Sequence, residues 1–290
     1  MARPDRQCHW IPGVLDAIEP EVGVPLVLDS PHSGTVSPAD FETLATDWQL
    51  RQNVDIFVDE LFADAVNQGA GLLRALFPRT YIDTNRSADE IDPRLLAAPW
   101  PTPLRETQKT RIGMGLLRGT IAGGKPMYDR LLTIEEVVGR IETYYHPYHQ
   151  LLTEMLDRVY AREGAIWHIN CHSMKSVGSM MSIDKGLRRP DLTVSDRGGS
   201  SSDPLFTAHV ADLFRAKGYD VWLNYPYKGA ELVARNGDPK GCRHSIQIEV
   251  NRALYIDERT YEKSCGFERL RRDVSDAMQS LIATMEQWMP

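Results

Sequence analysis

Short apolar runs alternate with amphipathic stretches along the chain. Five of the runs have the length and residue types of buried strands, and they cover residues 24–28, 71–77, 165–171, 219–223 and 245–250. The last run alternates Ile246, Ile248 and Val250 with Gln247 and Glu249, so one face is apolar and the other carries a carboxylate. Strands that alternate with helices are typical of an α/β fold whose sheet is covered on both faces, and we predict that fold class here.

Helical periodicity marks four segments. The first predicted helix covers residues 51–68 and ends before Gly69. Thr133 and Glu136 have the spacing of a capping box, so we predict that a long helix begins there and is kinked at Pro147. The other two helices are predicted from Asp203-Pro204 to just before Gly218 and over residues 267–288. Residues 87–124, 174–202 and 224–243 lack clear periodicity, and segments of that length are candidates for the walls of a pocket.

Composition narrows the class of protein. The chain has 290 residues, of which 42% are hydrophobic and 25% charged, with no linker-like segment, so we expect one domain over 1–290 with 1–20 and 286–290 loosely ordered. A net charge of −7 without basic runs argues against a nucleic-acid partner. No apolar stretch is long enough to span a membrane, and four widely spaced cysteines without a secretory leader lead us to expect a cytoplasmic protein with free thiols.

Two histidines lie where predicted strands end. His32 follows the first strand in L-V-L-D-S-P-H-S-G, and His172 follows the third in I-W-H-I-N-C-H-S-M. Ligands bind at the carboxyl ends of strands in open α/β sheets, so these imidazoles can converge on a metal ion. His168 is a less well-placed alternative on the same strand face, and His32 could instead bond a neighbouring carbonyl group. His146 and His149 are predicted to lie on the surface of the long helix.

A metal ion would need a third ligand, which no H-x-x-E motif supplies here. Asp55 is the first candidate because it lies early in the helix predicted after the His32 turn, although it could simply cap that helix. Asp29, Asp59 and Glu60 are the alternatives.

Glu249 is the candidate general base. A half-buried carboxylate has a raised pKa, which suits a group that takes a proton from water and passes it to a leaving amine. An ion pair with Arg252 or Arg243 is the structural alternative. Cys171 is not expected to form a nucleophile–base pair with His172, because adjacent strand residues face opposite sides.

Two similar tetrapeptides each end in an arginine. D-T-N-R at residues 83–86 is echoed by E-V-N-R at residues 249–252. A guanidinium offers a planar fork for a carboxylate, so Arg86 or Arg252 could hold an acidic substrate or brace the sheet. The other residues that could contribute to a basic pocket are Arg79, Arg105, Arg111 and Lys228.

The chain resembles the N-formylglutamate amidohydrolase family, which is related to zinc carboxypeptidases and aspartoacylase. The matching segments are D-S-P-H-S-G at 29–34, V-D-I-F-V-D-E-L around Asp55, R-T-Y-I-D-T-N-R at 79–86, N-C-H-S-M at 170–174 and Q-I-E-V-N-R-A-L-Y-I-D-E at 247–258. The resemblance implies a three-layer αβα fold with a central mixed, mostly parallel sheet. It also implies one divalent metal ion, zinc first and cobalt, iron or manganese as alternatives, held by His32, Asp55 and His172.

The same resemblance assigns further roles. Glu249 would be the catalytic base, Asn85 and Arg86 would clamp a substrate carboxylate, and Arg252 would be a second substrate contact. The implied reaction is hydrolysis of N-formyl-L-glutamate to formate and L-glutamate, a step of histidine breakdown. Asn170 is a departure, because the family pattern has an acid there that would support His172.

Two other hypotheses remain open at this point. The first keeps the chemistry but acts on another N-acyl amino acid or on a peptide or cell-wall fragment. The second is a non-catalytic protein that uses the arginines of the pocket to bind an acidic metabolite without a metal ion.

Overall fold

Eight strands form one mixed sheet, and the strands of its centre run parallel. The computed structural model describes residues 6–20, 23–180 and 182–289. The strands are β1 (Arg6–Ile11), β2 (Leu15–Pro20), β3 (Leu26–Ser30), β4 (Gly71–Ala75), β5 (Ile166–Met174), β6 (Leu192–Ser195), β7 (Val221–Leu223) and β8 (Arg243–Asn251). Their order is β1-β2-β4-β3-β5-β8-β6-β7, with β4, β3, β5 and β8 mutually parallel. A separate two-stranded ribbon joins β9 (Ile256–Asp257) to β10 (Glu262–Lys263).

Helices cover both faces of this sheet. They are α1 (Asp47–Arg51), α2 (Val58–Phe62), α3 (Gln108–Arg111), α4 (Ile134–Arg140), α5 (His146–Glu163), α6 (Pro204–Arg215), α7 (Glu231–Asn236) and α8 (Phe267–Thr284). On one face α2, α6 and α8 pack over Trp167, Ile169 and Cys171 of β5. On the other face α4 and α5 pack over apolar residues that include Val27 and Leu73. The three-layer αβα fold is therefore confirmed, and each predicted strand is present to within three residues at either end.

Three strands of the eight-stranded sheet, and the two of the small ribbon, were not predicted. Residues 6–20, expected to be loosely ordered, form the hairpin β1–β2, in which Leu15 and Ala17 are buried where β2 pairs with β4. Strand β6 lies inside a segment that lacked clear periodicity and is too short to show alternation. At the C-terminus a 3₁₀ turn over Met285–Trp288 packs its Trp288 ring on Phe206, while residues 1–5 and 290 lie outside the described part of the chain.

The helix predicted over residues 51–68 is wrong in its first third, and its last third is a 3₁₀ helix over Ala63–Gln68. Helix α1 ends at Arg51, α2 begins at Val58, and a non-helical turn separates them. The Asp55 backbone N–H donates to the carbonyl of His32 at 2.9 Å, and the Ser33 hydroxyl donates to the carbonyl of Asp55 at 2.9 Å. These bonds replace the helical ones and tie Asp55 to the turn that carries His32.

The long helix is irregular just before Pro147, the residue at which a kink was predicted. A π-helical turn, Ile141–Tyr145, separates α4 from α5, and Pro147 occupies the first turn of α5, where its missing N–H is tolerated. His146 is exposed, as predicted. The prediction for His149 is wrong, because that ring is 3% exposed and its Nε2 lies 2.9 Å from the carbonyl oxygen of Thr84. It supports the segment that carries Asp83 and Asn85.

Candidate metal centre and active site

The three central strands turn polar side chains toward the α5 side of the sheet. Asp29 of β3 is paired in register with Asn170 of β5, and His172 of β5 is paired with Glu249 of β8. The alternate residues of these strands point into the apolar core on the opposite side. Ionisable side chains are seldom fully buried, so their concentration on one buried face of the sheet defines a candidate site.

Three acceptor atoms meet at the end of this polar face. Nδ1 of His32 lies 3.1 Å from Nδ1 of His172, and Oδ2 of Asp55 lies 3.0 Å from Nδ1 of His172 and 3.5 Å from Nδ1 of His32. All three residues are almost fully buried. Ligands about 2.0–2.1 Å from a tetrahedral zinc ion lie about 3.3 Å apart, so these spacings are those of one face of such a tetrahedron.

The Nδ1 atoms of His32 and His172 are free to bind a cation because the other nitrogen of each imidazole, Nε2, is hydrogen-bonded to the protein. Nε2 of His32 lies 2.7 Å from Oδ1 of Asp83, and Nε2 of His172 lies 2.6 Å from Oδ1 of Asn170. These nearest partners are both acceptors, closer to His172 than the Asn85 amide nitrogen at 3.1 Å, so we assign the proton of each neutral ring to Nε2 and the lone pair to Nδ1. Two imidazole lone pairs and a carboxylate oxygen therefore face one another, an arrangement that a divalent cation fits.

The protonation states agree with that conclusion. Burial lowers the pKa of His172, which keeps its imidazole neutral. Burial alone would raise the pKa of the Asp55 carboxyl, but the imidazoles of His172 and His32 and the charge of Arg252 hold it well below its usual range. Neutral imidazole and ionised carboxylate are the forms that ligate metals.

Asn170 connects His172 to a buried carboxylate. Its amide Nδ2 donates to Oδ1 of Asp29 at 2.7 Å, which orients its Oδ1 toward His172. Asp29 also accepts from the hydroxyl of Tyr148 at 2.7 Å and lies 2.9 Å from Nε2 of His168. Asp29 is thus the carboxylate that supports His172, through Asn170, and His168 lies behind the site rather than in it.

Asp83 orients His32 from the opposite side. Burial would raise the pKa of Asp83, but Arg79 and His32 hold it well below its usual range. The Arg79 guanidinium donates to Oδ2 of Asp83 at 2.6 and 3.1 Å. A carboxylate behind a metal-binding histidine fixes the orientation of the ring and increases its basicity.

Arg252 holds the other oxygen of Asp55. Its Nη2 donates to Oδ1 of Asp55 at 2.8 Å, and its Nε donates to the Ser173 hydroxyl at 3.0 Å. Ser173 in turn donates to the same Asp55 oxygen at 3.2 Å. These bonds leave Oδ2 of Asp55 directed at the two histidines, so the structure places Arg252 behind a candidate metal ligand.

Glu249 lies beside the cluster with one oxygen free. Its Oε1 accepts from Nε2 of Gln247 at 2.8 Å, whereas Oε2 meets no donor among the described residues and is not sealed from solvent. Burial, and next the charge of Asp55, raise the pKa of Glu249 well above its usual range. A carboxylate with a raised pKa and a free oxygen can exchange a proton with a bound molecule.

Asn85 and Arg86 make different contacts, although they are adjacent in sequence. Nδ2 of Asn85 lies 3.1 Å from Nε2 of His172, and its Oδ1 accepts from the backbone N–H of Leu232 at 3.0 Å. Arg86 donates only to carbonyl oxygens, those of Met114 and of Asn85, and has no carboxylate partner in the described part of the chain. Arg86 is therefore available to an acidic ligand, whereas Asn85 packs against His172.

The remaining sequence candidates lie elsewhere. Arg105 and Arg111 are largely exposed and form ion pairs with Glu90 and Glu106. Glu60 pairs with Lys263 at the surface.

The residues near the site that had no predicted role are Asp83, Ser173, Lys109 and Arg118. The sequence did contain signals that could have drawn attention to three of them: Asp83 begins the repeated D-T-N-R, and Lys109 and Arg118 lie in the non-periodic residues 87–124.

A buried pair of histidines and an aspartate, beside a carboxylate with a raised pKa in an αβα fold, is the arrangement of a hydrolase site. A sequence model of the N-formylglutamate amidohydrolase family matches residues 24–256, so the chain belongs to this family. The protein is therefore an amidohydrolase rather than a non-catalytic binding protein.

Two relatives and two solved structures illustrate the similarity. The chain is 28% identical over 267 residues to N-formylglutamate deformylase of Pseudomonas aeruginosa, covering 90% of this chain and 93% of the relative. It is 26% identical over 269 residues to the enzyme of the same name from Pseudomonas putida, covering 91% and 93%. The crystal structure of N-formylglutamate amidohydrolase from Ralstonia eutropha is 41% identical and superposes with a TM-score of 0.89, covering 96% of this chain and 100% of that one. A gene product of Agrobacterium tumefaciens, 16% identical with a TM-score of 0.63 over 94% and 96% of the two chains, shares the fold.

No helix within the described residues is both long and apolar enough to cross a membrane.

Proposed function

We propose that this enzyme hydrolyses the amide bond of N-formyl-L-glutamate and releases formate and L-glutamate. The observation that carries the proposal is the convergence of His32, Asp55 and His172 on one point, with Glu249 on the neighbouring strand. The names of the relatives support the choice of substrate.

The three acceptors would hold one divalent cation, for which zinc is our first choice and cobalt, iron or manganese are alternatives. When bound, such a cation is a Lewis acid that polarises a carbonyl oxygen and acidifies water. Asp83 and Asn170 keep the two imidazoles in the tautomer that this role requires. Arg252 and Ser173 hold the carboxylate of Asp55 in place.

The proton transfers fall to Glu249. Its free Oε2 takes a proton from the water molecule that attacks the formyl carbon, and the C–N bond then breaks as the same oxygen returns that proton to the leaving nitrogen. The raised pKa of Glu249 suits both steps, because the group must accept and release a proton near neutral pH.

Arg86 supplies the contact to the substrate. It is half-buried and bonded only to backbone carbonyls, so a substrate carboxylate can take its remaining donors. Asn85 lies next to it and contacts His172, which would link the bound carboxylate to the catalytic centre.

The test is a substrate panel assayed with zinc-loaded protein. N-formyl-L-glutamate, N-acetyl-L-glutamate, N-formyl-L-alanine and a γ-glutamyl peptide are compared for release of the acyl group and of free amine. We expect saturable formate release with N-formyl-L-glutamate as the best substrate. A clear preference for a longer acyl group or for a peptide would refute the substrate assignment while keeping the amidohydrolase chemistry.

A further inference from the structure

Three cationic side chains near the metal centre have no carboxylate partner in the described part of the chain. They are Arg86, Lys109 and Arg118, and we call them the cationic wall. Lys109 and Arg118 lie in the segment between Asn85 and α4 that contains little regular secondary structure. In a chain with a net charge of −7, most other arginines pair with nearby acids, so this group is unusual.

Arg118 is the most constrained of the three. Arg118 is 8% exposed. Its guanidinium makes one hydrogen bond to the described residues, from Nη2 to Oδ1 of Asn53 at 3.0 Å. Nε and Nη1 have no acceptor among the same residues, yet they are not sealed from solvent. Asp83 is near enough to interact with this charge but does not hydrogen-bond to it. A guanidinium buried to this degree without a hydrogen-bonded acid is costly, and a bound anion would remove much of that cost.

Lys109 adds a second unpaired charge. No hydrogen bond or ion pair of its ammonium group is present within the described residues. Burial, followed by the charges of Arg86, Arg79 and Arg118, lowers its pKa to about 8. Burial likewise lowers the pKa of Arg118, to about 10, with Arg79 and Arg86 contributing. The cations are therefore close enough to repel one another.

Backbone contacts place this wall at the edge of the metal centre. Asn53, which holds Arg118, is two residues before the candidate ligand Asp55. The carbonyl of Met114 accepts from Arg86, and the N–H of Met114 donates to the carbonyl of Lys109 at 2.8 Å. Arg86, Lys109 and Arg118 each lie near enough to Asp83, the carboxylate that contacts His32, to interact with its charge, so all three cations lie close to the candidate metal centre.

We propose that Arg118 and Lys109 bind the side-chain carboxylate of the substrate while Arg86 binds its α-carboxylate. The inference rests on the proposed function, since a substrate with two carboxylates and a formyl group would present two anions beside the reacting bond. Two separate guanidiniums without a hydrogen-bonded acid match two carboxylates, and Arg118 has free donors on Nε and Nη1 for the second of them. The wall is therefore the part of the site that selects an acidic over a neutral side chain.

The test compares N-formyl-L-glutamate with N-formyl-L-glutamine, which has the same shape without the second charge. In Arg118→Met and Lys109→Met we expect the preference for glutamate, taken as the ratio of kcat/KM values, to fall about 30- to 100-fold, because charged hydrogen bonds are lost. Arg111→Met is the matched control, since Arg111 is exposed in the same segment and pairs with Glu106, and its preference should be unchanged. Thermal unfolding shows whether each variant is folded. If Arg118→Met does not fold, Lys109→Met still tests the proposal.

A binding measurement separates this inference from the proposed function. Calorimetry with glutarate and with its monoamide uses the same wild-type enzyme and variants and requires no turnover. Weaker glutarate binding in Arg118→Met and Lys109→Met, with monoamide binding unchanged, supports the proposed carboxylate contact of the cationic wall even if the wild-type enzyme releases no formate. Unchanged substrate preference and unchanged glutarate binding in both variants would overturn the inference, while formate release by the wild-type enzyme would leave the proposed function standing.

Discussion

Replacing Glu249 by glutamine removes one proton-accepting oxygen and almost nothing else. The side-chain carbonyl of glutamine can still accept the bond that Gln247 now donates to Oε1 at 2.8 Å. The three acceptors of the metal centre do not include Glu249, so the substitution should leave the metal content unchanged. The variant therefore isolates proton transfer from binding and folding.

The expected loss follows from the role assigned to Oε2. Removal of a positioned general base costs about 10²–10⁴-fold in rate, which corresponds to about 3–5 kcal/mol of activation free energy. We expect kcat for formate release to fall within that range, with little change in KM, because Glu249 is not assigned a substrate carboxylate.

The Glu249→Gln substitution should lower activity but should not lower the stability of the metal-free protein. The raised pKa means that the folded metal-free protein pays for an ionised Glu249 as the pH rises above about 4.5, the pKa of the exposed group, and that cost is complete above the raised pKa. Glutamine carries no charge, so the metal-free variant should unfold at the same or a higher temperature than the wild type, and its advantage should grow with pH.

The assay combines three readouts on each protein: formate release, bound metal and thermal unfolding with and without a chelator. Glu231→Gln is the control, because burial also raises the pKa of that glutamate although it lies on α7 outside the cluster. Near-normal kcat in Glu249→Gln would remove Glu249 from the mechanism. Loss of metal together with activity would show that Glu249 supports the metal centre instead.

Three further outcomes are expected. Asp83→Asn removes the carboxylate behind His32 and should weaken metal affinity about 10- to 100-fold, measured by competition with a chromophoric chelator; unchanged affinity would contradict the orienting role. Asn170→Asp places a second buried carboxylate 2.7 Å from Asp29 and should lower the free energy of unfolding by about 3 kcal/mol in chemical denaturation, whereas a stabilised variant would show that His172 prefers a direct carboxylate. Glutarate affinity should decline as the pH rises past about 8, where free Lys109 loses its proton, and Lys109→Met should abolish that decline in calorimetry; a decline that persists in the variant would assign it to another group.

Periodicity predicted the sheet well because its central strands are long and apolar on at least one face. It also placed His32 and His172 at strand ends, where the structure brings their Nδ1 atoms to 3.1 Å. The alternation in the last run likewise showed that Glu249 shares a face with other polar residues, and that face is the polar side of the sheet.

The turn at Asp55 shows where local pattern was insufficient. Val54, Val58 and Leu61 are all buried, so the helical spacing of apolar residues was real although the helix is interrupted. The interruption is held by bonds to His32 and Ser33, which lie more than 20 residues earlier, and such contacts leave no local signal. The bond from Arg252 to Asp55 likewise joins residues far apart in sequence, so spacing could not predict it.

Arg118 and Lys109 were missed for a different reason. Lys109 lies on the short helix α3 and Arg118 in the loop after it, and tertiary contacts such as the bond from Arg118 to Asn53 bring them near the candidate metal centre, so their spacing in the sequence could not predict this. The exposed arginines Arg105 and Arg111 from the same segment are equally basic in sequence, and only the fold distinguishes the two pairs.

The most direct test of the account is a metal titration of chelator-treated protein in which bound zinc and formate release from N-formyl-L-glutamate are measured on the same samples. We expect formate release to rise in proportion to bound zinc and to stop rising at one equivalent per chain, and His32→Ala to show neither tight binding nor release. Full formate release by metal-free protein, or tight binding of one zinc ion without any release, would contradict it.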